Sequence, residues 1–262
     1  MKILVCLKQV PHQDARLDVN ADGSWIKEDG IKFEINSYDT FALEEALRIK
    51  DGDAAGTEVV VASIGPERVT QALRTALGMG ADRAVHVKDA AVDGSDALGI
   101  ARVLAAVAKE VGPELVLMGL MSDDSNASAV PPMLAELMGV PHATAVVKAD
   151  KGPAGFRVER ELEGGALEVV DLPNPCLLAV QTGLNQVRYA SLKGIMAAKK
   201  KPIDVKTAEA LGLAGKVGGG AAKATIRKVY PPPKGDGAEI LSGSADEVVA
   251  KLVGKIKELG LL

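Results

Sequence analysis

Through the first two-thirds of the chain, short aliphatic runs alternate with stretches whose apolar residues recur every three or four positions. Residues 2–7, 58–63, 84–87 and 115–118 are strand-length and mostly apolar, the pattern of strands covered on both faces of a parallel sheet. Between them, residues 40–50 set Leu43, Ala46 and Leu47 on one helical face, 67–79 do the same with Val69, Ala72, Leu73 and Ala76, and 95–111 repeat the period. This alternation predicts a doubly wound, mostly parallel α/β sheet with helices on its faces.

Two excursions interrupt the scheme. Residues 16–34 carry the turn signal Asp22-Gly23, which predicts an inserted hairpin or irregular excursion with Trp25 in a packing role. From about 143 to 180, strand-like residues 157–162 and 166–172 flank Glu163-Gly164-Gly165 as a second hairpin, and 176–180 follow as a buried strand. Beyond Gln186, residues 212–220 are rich in glycine, alanine and lysine, and Tyr230-Pro231-Pro232-Pro233 can continue neither a helix nor a central strand. An extended arm is expected there, ending in a helix. Ser244-x-x-Glu247 is a capping box, and Val248, Leu252, Ile256 and Leu259 form a stripe before Gly260. That stripe has to bury against this domain or against a partner chain. The expected division is an α/β nucleotide-binding domain over 1–185 and a partner-recognition loop with a C-terminal arm over 186–262.

With 262 residues and 47% hydrophobic content, the chain can bury a full core. The apolar run at 3–7 stops at Lys8, too short for a signal or membrane segment, so a cytoplasmic location without direct membrane insertion is expected. A net charge of −4 argues against nucleic acid as a partner. Cys6 and Cys176 fall in separate predicted strands and read as reduced core thiols. His12, His86 and His142 are scattered, with no metal-ligand spacing and no hydrolytic constellation; His86 reads as a satisfied strand residue and His12 as an exposed loop residue. An enzyme with catalytic residues of its own is the poorer reading. Only 3% of residues are aromatic, which makes one segment conspicuous: Tyr189, Leu192, Ile195 and Met196 recur at helical spacing between Arg188 and Lys199-Lys200-Lys201. It reads as an exposed docking element.

In a doubly wound sheet, ligands bind beyond the carboxyl ends of the strands. Three segments qualify: residues 6–14, Asn36-Ser37-Tyr38-Asp39, and 119–128. The last runs Ser122-Asp123-Asp124-Ser125-Asn126-Ala127-Ser128 just before a helix predicted over 130–137. Its small side chains and amides can hold an anion at the helix start, or its serines and aspartates can simply cap that helix. GxGxxG and GxxxxGK[ST] are both absent.

Five segments in order, residues 2–10, 36–46, Arg74-Thr75-Ala76-Leu77-Gly78-Met79-Gly80-Ala81-Asp82-Arg83, 158–165 and 188–201, resemble the β subunit of electron transfer flavoproteins over almost the whole chain. The resemblance implies a Rossmann-like fold of the adenine-nucleotide-binding type. It also implies a subunit without chemistry of its own, paired with an α subunit that holds most of the site for a redox-active FAD. Such a dimer takes electrons from acyl-CoA dehydrogenase-type donors and passes them to a quinone oxidoreductase or another acceptor.

Carried over by residue, the family's AMP pocket falls on Cys6, on Asn36, Ser37, Tyr38 and Asp39, on Ile64, and on residues 119–130, which include Gly119, Ser122, Asp124, Ser125, Asn126, Ala127, Ser128, Ala129 and Val130. The resemblance further makes Leu192 the anchor inserted into the donor, with Arg188, Tyr189, Ile195 and Met196 around it, and brings Gln13, Asp14 and Glu161 near the flavin. Members often read Asp-x-Asp-Thr-x-Gln in the phosphate loop. Here Asp124-Ser125-Asn126-Ala127-Ser128-Ala129 lacks one hydroxyl and one amide side chain, with Ser125 and Ser128 as possible substitutes. Some members bind a second FAD in place of AMP and bifurcate electrons; that alternative stays open, as does, more remotely, a stand-alone nucleotide-binding sensor.

Overall fold

A computed structural model describes residues 1–235 and 237–262. In chain order its first elements are β1 (Lys2–Cys6), β2 (Gln9–Pro11), β3 (Phe33–Ile35), α1 (Ser37–Gly52), β4 (Glu58–Ile64), α2 (Val69–Met79) and β5 (Arg83–Val87). Then come α3 (Ala97–Val111), β6 (Leu115–Gly119), α4 (Val130–Met138), β7 (His142–Lys151), β8 (Gly155–Glu161), β9 (Leu167–Pro173) and β10 (Cys176–Val180). The last are α5 (Leu192–Ala198), β11 (Ile203–Lys206) and α6 (Ala245–Glu258).

Nine strands form one sheet in the order β11-β5-β4-β1-β6-β10-β7-β8-β9. All neighbours are parallel except β8, which is antiparallel to β7 and β9. Because side chains alternate along a strand, β1 feeds two cores. Ile3 and Val5 pack with Leu43, Leu47, Leu73 and Leu77 of α1 and α2, while Leu4 and Cys6 pack with Val103, Leu104 and Val107 of α3 and Leu134 of α4. The sheet is therefore covered on both faces, as the uninterrupted apolar runs require.

Local chemistry sets the helix limits. Asp96 Oδ1 accepts the Gly99 N–H at the start of α3, and Gly112, in the left-handed region, ends it. Pro131 and Pro132 fall in the first turn of α4, where a missing N–H costs nothing, and left-handed Gly139 closes it.

The hairpin at Glu163-Gly164-Gly165 joins β8 to β9 as the turn residues predict. Besides the short pair β2–β3, two strands of the nine-stranded sheet lie outside the predicted set. In β7, Ala145 takes a positive φ of 54° and the register against β10 shifts between Leu178 and Val180, which breaks the alternation a sequence reading relies on. The other, β11, is four residues long and pairs with β5. Residues 186–227, expected beyond the α/β domain, thus contribute an edge strand to the sheet, and α5 packs on α2.

The chain divides into two compact units, residues 1–17 with 28–227, and residues 18–27 with 228–262. In the first, the ends of the 16–34 excursion are closed by the antiparallel pair β2–β3. In the second, the excursion's tip is irregular: one bridge joins Val19 to Ile26, left-handed Gly23 makes the turn, and the Val229 N–H donates to the Gly23 carbonyl. Trp25, expected in packing, is half-exposed. Helix α6 starts with the capping box of Ser244 and Glu247, and none of its residues is buried.

Candidate functional site

The chain passes from β5 across β1 to β6, so the strand order reverses at β1 and a crevice opens between the carboxyl ends of β1 and β6. The start of α1 knits its walls together. Buried Asn36 donates from Nδ2 to the Met121 carbonyl (2.8 Å) and accepts the Asp123 N–H on Oδ1 (2.9 Å). The Asp123 carboxylate accepts from the Ser37 N–H (2.9 Å) and hydroxyl (2.8 Å). Asp39, 5% exposed, accepts the Lys8 N–H on Oδ2 (2.7 Å) and the Gly119 N–H on Oδ1 (2.8 Å). One helix end therefore fixes the loops after β1 and β6. Gly119 is needed for this approach, since a Cβ there would run into Tyr38 Cβ and Asp39 Oδ1.

Burial pushes the Asp39 carboxyl up to about 7, against the opposing pull of the Lys8 and Gly119 N–H donors, Asn36 and the Lys8 charge. Burial and the neighbouring Asp39 charge likewise push the Cys6 thiol far up, so it is an inert wall of the crevice. Cys6, Asn36 and Asp39 shape the crevice with side chains already engaged or enclosed; Ser37, Tyr38 and Ile64 are less covered. Beyond them the 119–130 loop forms a concave row of donors. Asn126 and Ser128 are both left-handed (φ 50° and 49°). Among the described residues, the N–H groups of Ala127, Ser128, Ala129 and Val130 have no acceptor within the chain. Such a nest, opening on a helix start, suits an anion. The capping alternative fails for α4, where the preceding residue is Ala129 and no side chain caps the helix, and holds for Asp123, which accepts the N–H of Ser37 at the start of α1. The Ser122 and Ser125 hydroxyls instead bond each other (2.8 Å).

Lys8, within the 6–14 segment but not among the residues carried over for the pocket, reaches Ser122 Oγ (3.2 Å) and pairs with Asp124 Oδ1 (2.6 Å), which places its ammonium beside the loop. Its place directly after β1 was the available signal. The flavin-proximal candidates lie elsewhere: Gln13 and Asp14 are exposed on the loop after β2, and Glu161 is exposed at the end of β8, accepting from Gln181 Nε2 (3.3 Å). Nearby His12 sits between the Asp14 and Glu34 carboxylates (3.7 and 3.5 Å). His86 is buried, with Nε2 2.9 Å from the Gly65 carbonyl, the satisfied strand residue the sequence suggests.

The second candidate site is the segment around α5. Tyr189 is 97% and Leu192 84% exposed, with Met196 and Ile195 also open to solvent, so Leu192 is no core residue of this chain. Arg188 differs from its neighbours. Its guanidinium is bound by Glu44 (2.8 and 2.9 Å) and Asp51 (2.8 Å), which hold it firmly protonated; it anchors the segment while 32% of its side chain stays exposed.

Fold and loops together define a class: a doubly wound α/β protein with an anion-suited crevice where the strand order reverses and an exposed apolar segment seated on one helical layer. The family profile described as the electron transfer flavoprotein domain matches residues 24–211. The chain is 39% identical to the electron transfer flavoprotein subunit beta of Methylophilus methylotrophus over 98% of each chain. It is 39% identical to that of Bradyrhizobium diazoefficiens over the full length of both, and 38% identical to the caffeyl-CoA reductase-Etf complex subunit CarD of Acetobacterium woodii over 98% of each. The chain belongs to the electron transfer flavoprotein β-subunit family. No helix among the described residues is long and apolar enough to cross a membrane.

Proposed function

We propose that this chain is the β subunit of a heterodimeric electron carrier. An α subunit holds most of the FAD, the crevice between β1 and β6 holds AMP, and the segment 188–201 docks electron donors of the acyl-CoA dehydrogenase type; a quinone oxidoreductase is the acceptor and the cytoplasm the location. The FAD supplies the redox chemistry, and this chain's residues bind and orient. The observation that carries the reading is the apolar cluster of Tyr189, Leu192 and Met196 held in solvent beside a half-buried ion pair, in a protein otherwise poor in aromatic residues. A monomer gains nothing from that arrangement, whereas burying one leucine in a partner is worth roughly 1.5–3 kcal/mol, enough for a transient hand-off.

The crevice fits a mononucleotide: the 127–130 amides and Lys8 suit its phosphate, and Ile64 with the walls around Cys6 suits its base. Backbone donors do not depend on the side chains missing from the phosphate loop. Gln13, Asp14 and Glu161 would face the flavin at the α subunit. In the assembled dimer, Leu192→Ala should slow reduction by the donor dehydrogenase with flavin content unchanged; an unchanged rate removes the docking role. A second reading is an electron-bifurcating subunit with another FAD in the crevice, favoured by the 38% identity to a chain named for a caffeyl-CoA reductase complex. Nucleotides released on denaturing the dimer separate the two: FAD with AMP for the simple carrier, FAD alone in doubled amount for the bifurcating one.

A further inference from the structure

The geometry points to Glu44 as a positioning residue that sets the presentation of Leu192 to the electron donor, an inference that rests on the docking role proposed above. Glu44 lies on the apolar face of α1, between Leu43 and Leu47, and is 3% exposed. A carboxylate so placed needs partners, and all of those recorded come from one residue of the docking segment: Arg188, through its backbone N–H (3.1 Å), Nε (2.8 Å) and a terminal nitrogen (2.9 Å). Arg188 lies four residues before Leu192. The carboxylate thus fixes both the backbone and the side chain at the entry to the segment.

The far end is fixed too. The Arg74 guanidinium donates to the carbonyls of Ala198 (2.6 Å) and Lys201 (2.7 Å), and Lys201 Nζ reaches the Leu77 carbonyl (3.0 Å). Between the two ends, Gly194 of α5 lies directly on the Gly78 carbonyl of α2. Arg74 and the two glycines hold α5, and the glycines reach back only to Ala190, which lies against Gly78, and to Ser191, whose Oγ accepts the Gly194 N–H (3.1 Å). Glu44 is the contact that holds Arg188 by backbone and side chain together, with exposed Asp51 adding one bond to the guanidinium (2.8 Å). An apolar anchor on a loose tether would have to be ordered at each encounter, which weakens binding without altering the electron step.

The test is a double-mutant cycle in the assembled dimer, with Glu44→Gln and Leu192→Ala alone and together, reduced by an acyl-CoA dehydrogenase supplied with its saturated acyl-CoA. Glu44→Gln should raise the KM for the flavoprotein about tenfold, equivalent to ~1.4 kcal/mol, with kcat, flavin content and nucleotide content unchanged. In the Leu192→Ala background it should add little. Hydrogen exchange should also speed up at amides 189–195, with the first turn of α1 unaffected. Arg188→Lys keeps the charge but loses the multidentate grip, and should reproduce the effect if Glu44→Gln fails to fold.

An equal KM effect of Glu44→Gln with and without Leu192 would overturn the proposal, since Glu44 would then act on the fold in general. So would an effect of Leu192→Ala with none of Glu44→Gln, which leaves docking intact. If Leu192→Ala itself changes nothing, the docking role fails, and unaltered exchange at 189–195 then disposes of the positioning role separately.

Discussion

Asp39 bonds one amide on each wall of the proposed nucleotide crevice, and Asp39→Asn tests how far the walls depend on it with almost no change of shape. The carboxylate offers one oxygen to the Lys8 N–H and the other to the Gly119 N–H, in a site shielded from water. An amide keeps one acceptor and turns its NH2 toward the second donor. One buried N–H is then unpartnered, which costs roughly 1–3 kcal/mol. A pH term works against this as pH rises. The carboxyl, ordinarily near 3.8, is pushed up to about 7 in the folded chain, so between those values the folded protein holds a proton that the unfolded chain has released. Stability from this group is therefore greatest at low pH and is lost as pH rises through 7. From pH 5 to pH 8 the loss is on the order of 2–3 kcal/mol. The side-chain amide of the Asp39→Asn variant does not titrate, so the stability gap between native protein and variant should narrow by that amount over the same interval, with all other groups cancelling in the comparison. Denaturant unfolding of both proteins at pH 5 and pH 8, followed by far-ultraviolet circular dichroism, reads both quantities. A gap equal at the two pH values would falsify the raised carboxyl, and no gap at either would mean that the two loop amides do not rely on Asp39.

Three further outcomes are expected. Gly194→Ala places a methyl group against the Gly78 carbonyl, backbone against backbone, and should lower stability by about 1–3 kcal/mol in thermal unfolding while nucleotide content is retained. Lys8→Ala removes the charge beside Ser122 and Asp124 and should weaken AMP binding by about tenfold in calorimetry, with a shallower salt dependence; unchanged affinity would take Lys8 out of the site. Ser244→Ala breaks the capping box of α6 and should cost about 1 kcal/mol of helix stability, seen as faster hydrogen exchange in its first turn.

Sequence by itself determined the elements whose cause is local. The apolar runs that became β1, β4, β5, β6 and β10 are legible because a strand buried on both faces must be apolar throughout, and the helices between them because one face of each must be. The glycine turn of β8–β9 and the capping box of α6 are local chemistry too. The order of the motifs carried the family, and the strand-end rule picked out the segments that meet at the crevice. Tertiary structure alone decided the rest, because it depends on which distant groups satisfy one another. Nothing local tells that Asp39 would take the amides of Lys8 and Gly119, that Asn36 would hold Met121 and Asp123, or that Glu44 would hold Arg188 at the start of the exposed 188–201 segment. The trace they leave is three acids, Asp39, Glu44 and Glu45, beside the apolar stripe of one helix, where a charge persists only if the fold brings it a partner. β7 and β11 were hidden for the same reason: a bulge at Ala145 and a four-residue edge are defined by the neighbouring strand, and neither leaves a periodic signal of its own.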